Sequence, residues 1–311
     1  MKKLNYERYG SLFILILLFI ISSIASPYFL QLQNILNILR QVSYTGIIAL
    51  GMTFVIIGGG IDLSVGSMTA LVGGIIILVL NHFGGGIGAI IISILFGLLL
   101  GIIGGTINGL LITKGRIAPF IVTLGTMAIF RSLTLYIISA GEFRSKSEIF
   151  PSIGMGSFLF IPIPIWIFIG LAIVFHIILN NTRYGRYICA IGSNEKVAQY
   201  AAINVDRVRV ISYIIVGISV AISSFLLSSR LNSISSSNAG LNFELDAISA
   251  VVIGGTSMAG GSGYISGAVF GAILLGIINN MLNMLGVSPY LQGTVKGLLI
   301  IGAVLLQRGK R

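Results

Sequence analysis

The sequence predicts an all-α fold, a polytopic membrane helix bundle of about ten spans, and three observations carry that prediction. The 311 residues are 56% hydrophobic and only 9% charged, against roughly 25% charge in a soluble globular chain. Apolar runs of about twenty residues recur along the whole length, each enough to cross ~30 Å of hydrocarbon. Small residues return at every fourth position inside several runs, which flattens one helix face for close backbone approach. A single transmembrane domain, residues 1–311, accounts for the chain.

Taken in order, Lys2, Lys3 and Arg8 precede a first apolar run at 11–30. The Ser23-Ile24-Ala25 stretch has the small residues of a signal-cleavage site, but the apolar core is too long for one and further spans follow, so it reads as an uncleaved span. A short amphipathic connector (31–40) leads into span two, 42–60, which ends in Gly58-Gly59-Gly60-Ile61-Asp62-Leu63-Ser64. Three glycines break a helix there, and Asp62 or Ser64 can cap the next one, span three at 65–80. Span four, 87–112, carries Gly97, Gly101, Gly105 and Gly109 in one four-residue series. Gly66, Ala70 and Gly74 repeat the device, as do Gly263, Gly267 and Gly271. Span five (117–140) opens near Pro119 and includes Arg131, and a polar loop at 141–156 follows. Span six, 158–179, starts at Pro162 and Pro164, where a first helical turn tolerates proline. After a basic loop come span seven (210–229), a loop rich in Ser and Asn (230–246), and a short span eight (247–258) that breaks at Gly254-Gly255. Spans nine and ten occupy 264–285 and 289–306.

Ten crossings return both termini to one side. Lys2, Lys3, Arg8, Lys114, Arg116, Arg183, Arg186, Lys196, Arg207, Arg209, Arg308, Lys310 and Arg311 then share that side. Arg40, Arg144, Lys146 and Arg230 face the other, and the positive-inside bias makes the crowded side cytoplasmic. The +11 charge is thereby explained without nucleic acid as a partner. Val55-Ile56-Ile57-Gly58-Gly59 also echoes Val251-Val252-Ile253-Gly254-Gly255, each at a broken span. Paired broken helices point toward a transport pathway.

The longest basic interruption is residues 181–209, with five of the nineteen Lys and Arg. Within it, Ser193 to Ala202 reads as a short helix: Ser193 or Asn194 can cap it, Glu195 suits its positive end, and Ala198, Ala201 and Ala202 keep one side small, with Val197 inside the helix. Such a helix fits a groove on a soluble partner; the plainer reading is a cytoplasmic linker.

Several chemistries are missing. No glycine loop ending in Gly-Lys-Ser/Thr is present to hold ATP. The lone Cys189 forms neither an intrachain disulfide nor a cysteine metal site, and His82 and His176 stand apart. No catalytic, cofactor or metal site is expected. Asp62, Arg131 and Lys296 are the ionisable residues within spans, with Lys296 near enough to the end of its span to snorkel. Those are few for an ion-driven machine. Uncharged polar residues available to line a path, or to bond helix to helix, are Ser64, Ser67, Asn108, Thr123, Thr126, Asn279 and Asn280, and Asp62 joins them.

Four stretches together resemble a known family. Gly59-Gly60-Ile61-Asp62-Leu63-Ser64-Val65-Gly66-Ser67 looks like a hallmark of the permease subunits of bacterial ABC sugar importers of the ribose type. Ala190-Ile191-Gly192-Ser193-Asn194-Glu195 with Ala201-Ala202-Ile203-Asn204-Val205 is similar to that family's cytoplasmic loop. The stretch from Glu244 through Gly261 and the run Asn279 to Val287 extend the likeness, which covers residues 47–306. Ala202 departs from it, since relatives often carry glycine there.

The resemblance implies a type II importer-like subunit in the bacterial cell membrane, paired with a second permease subunit as a homodimer around one path. It also implies ATP-binding subunits on the cytoplasmic side and an extracytoplasmic sugar-binding protein on the other, all set in membrane lipid. The 193–202 helix would be the coupling helix seated in the ATPase, and Arg144, Lys146, Arg230 and Glu244 would face the binding protein. Two other classes remain open: an ion-coupled secondary transporter, against which the few intramembrane charges speak, and a channel or scaffold, against which the broken spans speak.

Overall fold

This computed structural model describes residues 6–138, 141–288, 291–298 and 301. Lys2, Lys3, the tail bases Arg308, Lys310 and Arg311, and parts of the tenth predicted span lie outside the described residues. The elements run α1 (Tyr6–Ala25), α2 (Leu32–Ile57), α3 (Val65–His82), α4 (Ile87–Thr113), α5 (Pro119–Ile137), β1 (Glu142–Arg144), α6 (Pro151–Met155), β2 (Ser157–Phe158) and β3 (Ile161–Pro162). They continue with α7 (Ile163–Asn181), α8 (Arg183–Ser193), α9 (Glu195–Tyr200), α10 (Val205–Leu231), β4 (Ser233–Ser235), α11 (Phe243–Ile253) and α12 (Ile265–Met284). Seven of the described helices (α2, α3, α4, α5, α7, α10 and α12) are long and apolar enough to cross a membrane.

Helix α2 runs through the middle of the bundle, and every residue from Gly46 to Ile57 is buried. It begins at Leu32, so the segment expected to be a separate connector is its first turns, and Arg40 is buried there, donating to Asn37 Oδ1 at 3.1 Å. The glycine series of α4 does what its spacing suggests. A Cβ on Gly101 would overlap the carbonyl of Gly217 on α10, one on Gly105 would overlap that of Tyr213, and Gly109 rests on Val210. Backbones meet directly along this face, which is how membrane helices gain packing without a hydrophobic drive between them. On the opposite face of α4, Leu95, Leu99, Ile103 and Ile107 form an exposed apolar row suited to lipid. Gly254 and Ala250 of the α11 segment meet Gly267 and Gly271 of α12 in the same way.

Helix α11 is only 11 residues long, starts at Phe243 and stops at Gly254. It begins earlier than the sequence suggested because Asn242 takes a left-handed conformation (φ 63°) and turns the chain into the helix. Glu244 and Asp246 therefore sit in its first turn, where acidic groups complement the helix dipole. The two polar loops are also joined: β1 pairs antiparallel with β4, Phe143 opposite Ile234.

Both glycine breaks come to the same place. Helix α2 stops at Ile57, and Gly59, at φ 78°, reverses the chain in the left-handed region that favours glycine. In the turn between α11 and α12, Gly261 adopts φ 82° and its N–H donates to Ile57 O at 2.8 Å. The last carbonyl of α2 is thus met by the other broken hairpin.

Candidate coupling and translocation sites

Most of the basic interruption is helical. Thr182 caps α8, its Oγ1 accepting from Gly185 N at 3.3 Å, and Gly185, Ile188 and Ile191 turn inward while Arg183, Arg186 and Tyr187 stay exposed. The sequence reading missed this helix, although Thr182 and the inward series after it were its signal. Asn194 then caps α9, its Oδ1 accepting from Val197 N at 3.2 Å. Ser193 closes α8 instead, donating to Cys189 O.

Of the small residues expected on α9, Ala198 is buried at 1% exposure, whereas Ala201 and Ala202 follow the helix and are exposed. Val197 and Tyr200 project outward at 60% and 88% exposure. Ala202 adopts φ 57°, a conformation that disfavours any residue with a Cβ, which gives a physical reason for glycine at this position. Glu195 pairs with Arg209 of α10. Gly192, at the end of α8, packs on Ile57 O and Gly261 N, so α8 meets both broken hairpins at one junction.

Behind α9 lies a cleft of about 650 Å³ between Gly58–Gly60, Arg116, Glu195, Arg209 and Tyr213. Deeper in, Asp62 is fully buried. Its Oδ1 accepts from Ser64 N at 2.8 Å and Ser64 Oγ at 2.6 Å, and Asn108 Nδ2 reaches Ser64 Oγ at 2.9 Å and Asp62 Oδ2 at 3.4 Å. Ser67 Oγ donates to Ser64 O, and Tyr213 Oη donates to Ile61 O. Asp62, Ser64, Ser67 and Asn108, named from sequence as path candidates, are thus gathered into one buried knot, in which Asn108 Oδ1 has no hydrogen-bond partner. Thr123 and Thr126 bond back along their own helix, and Asn280 exchanges hydrogen bonds with Asn34 at 2.8 and 3.2 Å.

Asn279 has a different setting. It lines a cavity of about 370 Å³ at the opposite end of α10, bounded by α2, α10, α11, α12 and the segment after β4. Arg230 is here too, its guanidinium 5.7 Å from the ring centre of Tyr44. Lys296 contacts both oxygens of Asp246, at 2.8 and 3.1 Å, so it is held in a largely buried ion pair and does not snorkel. Arg144 and Lys146 are exposed in the loop around β1, while Glu244 is half-buried against Gly66. The cavity wall formed by the segment after β4 is fastened from behind: Arg131 donates to Ser236 O at 2.7 Å and to Ala239 O at 3.0 Å.

The architecture is that of a bundle with seven helices long and apolar enough to cross a membrane among the described residues, and an exposed capped helix at one end. A family profile described as "Branched-chain amino acid transport system / permease component" matches residues 34–304. The chain belongs to this permease family. Among its relatives, the ribose import permease protein of Bacillus subtilis is 45% identical over 310 residues, 98% of this permease and 94% of the relative. The ribose import permease protein of Haemophilus influenzae is 43% identical over 285 residues, covering 88% and 84%. The D-allose transport system permease protein of Escherichia coli is 38% identical over 306 residues, covering 98% and 93%. No solved structure matches this permease.

Proposed function

We propose that this permease is the membrane subunit of an ABC importer that moves a monosaccharide, ribose first, into the cell, driven by separate ATP-binding subunits. The observation that carries the reading is its likeness, over nearly the full length of both chains, to proteins named as ribose import permeases. The exposed, capped α9 supports the coupling role: Asn194, Glu195 and Val197 build the helix, Ala198 seats it on the bundle, and Val197 and Tyr200 offer an apolar tip to an ATPase groove. Ser193, Ala201 and Ala202 flank that tip.

On this reading the α8–α9 end is cytoplasmic, as the run of bases there requires, and both termini lie on that side of the bacterial cell membrane. About ten crossings follow if α1, the short α11 and the helix at 291–298 are counted with the seven long helices. The permease pairs with a second copy, and an extracytoplasmic sugar-binding protein docks near the exposed Arg144 and Lys146. Rim charges of that kind set encounter rate and register. Arg230 and Glu244 lie deeper and would meet what the binding protein delivers.

Reconstitution tests the reading. Proteoliposomes containing the permease, its ATP-binding subunits and a loaded binding protein should take up radiolabelled ribose only with ATP. Uptake driven by an ion gradient without ATPase subunits would overturn it.

A further inference from the structure

We propose that the outer end of α8 is a headgroup site for an anionic phospholipid of the cytoplasmic leaflet, formed by Arg183, Arg186 and Tyr187 at the foot of α7. The inference needs α7 to cross the bilayer with this end in the cytoplasm, as argued above. It does not depend on what is carried, so a failure of the sugar reading leaves it standing.

The way α8 lies is the first observation. Its opening turn folds back on α7, for a Cβ on Gly185 would overlap the carbonyl of Leu179. One turn on, Ile188 lies against Gly58, where α2 ends, and Gly192 reaches Ile57 O and Gly261 N. The helix therefore runs across the base of the bundle, from the foot of α7 inward to the two broken hairpins. Gly185, Ile188 and Ile191 face the bundle, and Arg183, Arg186 and Tyr187 are exposed at the outer end. An amphipathic helix with bases on its free face is built to lie along a membrane surface.

The foot of α7 is also where a lipid-facing surface stops. The 19 residues of α7 rise about 28 Å, against ~30 Å of hydrocarbon. Trp166, Ile169, Ile173 and Ile177 form an exposed row along it. At the far end of that row Trp166 Nε1 donates to Phe158 O at 3.1 Å, the polar edge of an interfacial aromatic. At the near end Asn180 and Asn181 are exposed, and α8 begins after Thr182 alone. Arg183 and Arg186 thus fall at headgroup level, and the half-exposed Tyr187 ring suits the same level.

Charge supplies the rest. The positive-inside bias explains which side these bases occupy, not why they are left unpaired. Both acids within 181–209 are committed, Glu195 to Arg209 and Asp206 to Lys114. Arg183, Arg186, Lys196 and Arg207 remain exposed, without an ion pair among the described residues. Lys196 and Arg207 flank α9, the face assigned to the ATP-binding subunits, whereas Arg183 and Arg186 sit at the other end of α8, beside lipid. Three positions apart, the two guanidiniums are helix-surface neighbours, and arginine grips phosphate oxygens with paired N–H donors. A lipid held there would pin the outer end of α8 while its inner end touches both hairpins.

Two measurements decide it. Native mass spectrometry of the permease, extracted from bilayers of equal phosphatidylglycerol and phosphatidylcholine, should show phosphatidylglycerol retained in excess. The double variant Arg183→Gln with Arg186→Gln should cut that excess at least about five-fold, the scale of one base at an anionic surface. Arg183→Lys with Arg186→Lys should keep most of it, and Lys196→Gln with Arg207→Gln should keep all of it. Separately, in a Cys189→Ser background, a fluorophore on Tyr187→Cys should be quenched by headgroup-nitroxide phosphatidylcholine at least twice as strongly as one on Lys196→Cys. An undiminished excess in the Arg183/Arg186 glutamine pair, an equal loss in the Lys196/Arg207 pair, or equal quenching at the two sites would each overturn the site. Weakened capture of the ATP-binding subunits by the Arg183/Arg186 pair, with lipid retention unchanged, would assign that end to the ATPase instead. Should this pair fail to fold, the quenching ratio decides alone.

Discussion

Glu195 and Arg209 meet at 2.7 Å and so tie the first residue of α9 to α10 across fourteen positions of chain. Because α10 packs backbone to backbone on α4, a displacement of α9 would be passed to a stiff pair of helices under the proposed coupling role. The pair is partly exposed, with side chains at 26% and 43%, so its static worth is about 0.2–1 kcal/mol. Its mechanical worth is what we expect to see. Arg209→Ala should leave the fold intact and reduce ATP-driven uptake several-fold, and the swapped pair Glu195→Arg with Arg209→Glu should restore part of it. Equal uptake in single and swapped variants would deny the tie any role.

Val197→Pro removes the N–H that Asn194 accepts and with it the cap of a six-residue helix. The lost cap costs on the order of 1 kcal/mol. We expect a protein that inserts and assembles its core normally, yet no longer supports ATP-dependent uptake. Pull-down of the ATP-binding subunits is the direct measurement, and unweakened capture together with normal uptake would exclude α9 as the contact.

Ala202→Gly should stabilise. The residue sits at φ 57°, where a non-glycine residue costs on the order of 1 kcal/mol. A rise in the unfolding midpoint in detergent, with uptake retained, is the expected result.

Asp62→Ala should do the reverse. It strips a buried knot of the hydrogen bonds from Ser64 and Asn108, at about 1–3 kcal/mol for each donor left unpaired. A lowered midpoint by fluorescence-detected size exclusion checks this, and a variant as stable as the parent would show that the Asp62 bonds do not hold the break.

Cys189 gives a prediction in pH. Burial pushes its thiol up from the ordinary value, so at any given pH less of it is thiolate, the reactive form. At neutral pH we expect maleimide to label Cys189 far more slowly than a thiol introduced by Lys196→Cys on exposed α9, with the gap narrowing as the pH is raised. Comparable rates at pH 7 would contradict the burial.

The parts of this fold that sequence made legible are those encoded by local spacing. Gly97, Gly101, Gly105 and Gly109 announce a flat helix face because four-residue periodicity is a property of the chain itself, and Asn194 followed by Glu195 announces a helix start. Contacts between distant segments leave no such trace. The pairing of β1 with β4 involves three residues on each side, too few for any alternation to register. Lys296 read as a snorkelling base because it lies near the end of its predicted span; its partner, Asp246, lies fifty positions away. Likewise Arg131 could be recognised as unusual within a span, but the carbonyls of Ser236 and Ala239 that it grips become visible only once the chain doubles back. The candidate path residues divide for the same reason: Asn279 and Asn280 are adjacent, yet one helix step points the first into a cavity and the second at Asn34.

Where Gly192 touches Ile57 and Gly261, main chain rests on main chain, and Gly192 itself has no rotamer to absorb a push. A shove on α8 has to be taken up by the hairpins themselves. The same absence of padding makes the joint unforgiving: even a methyl group on Gly192 would wedge it apart, so the fit of these three segments is set at that point by bare peptide geometry.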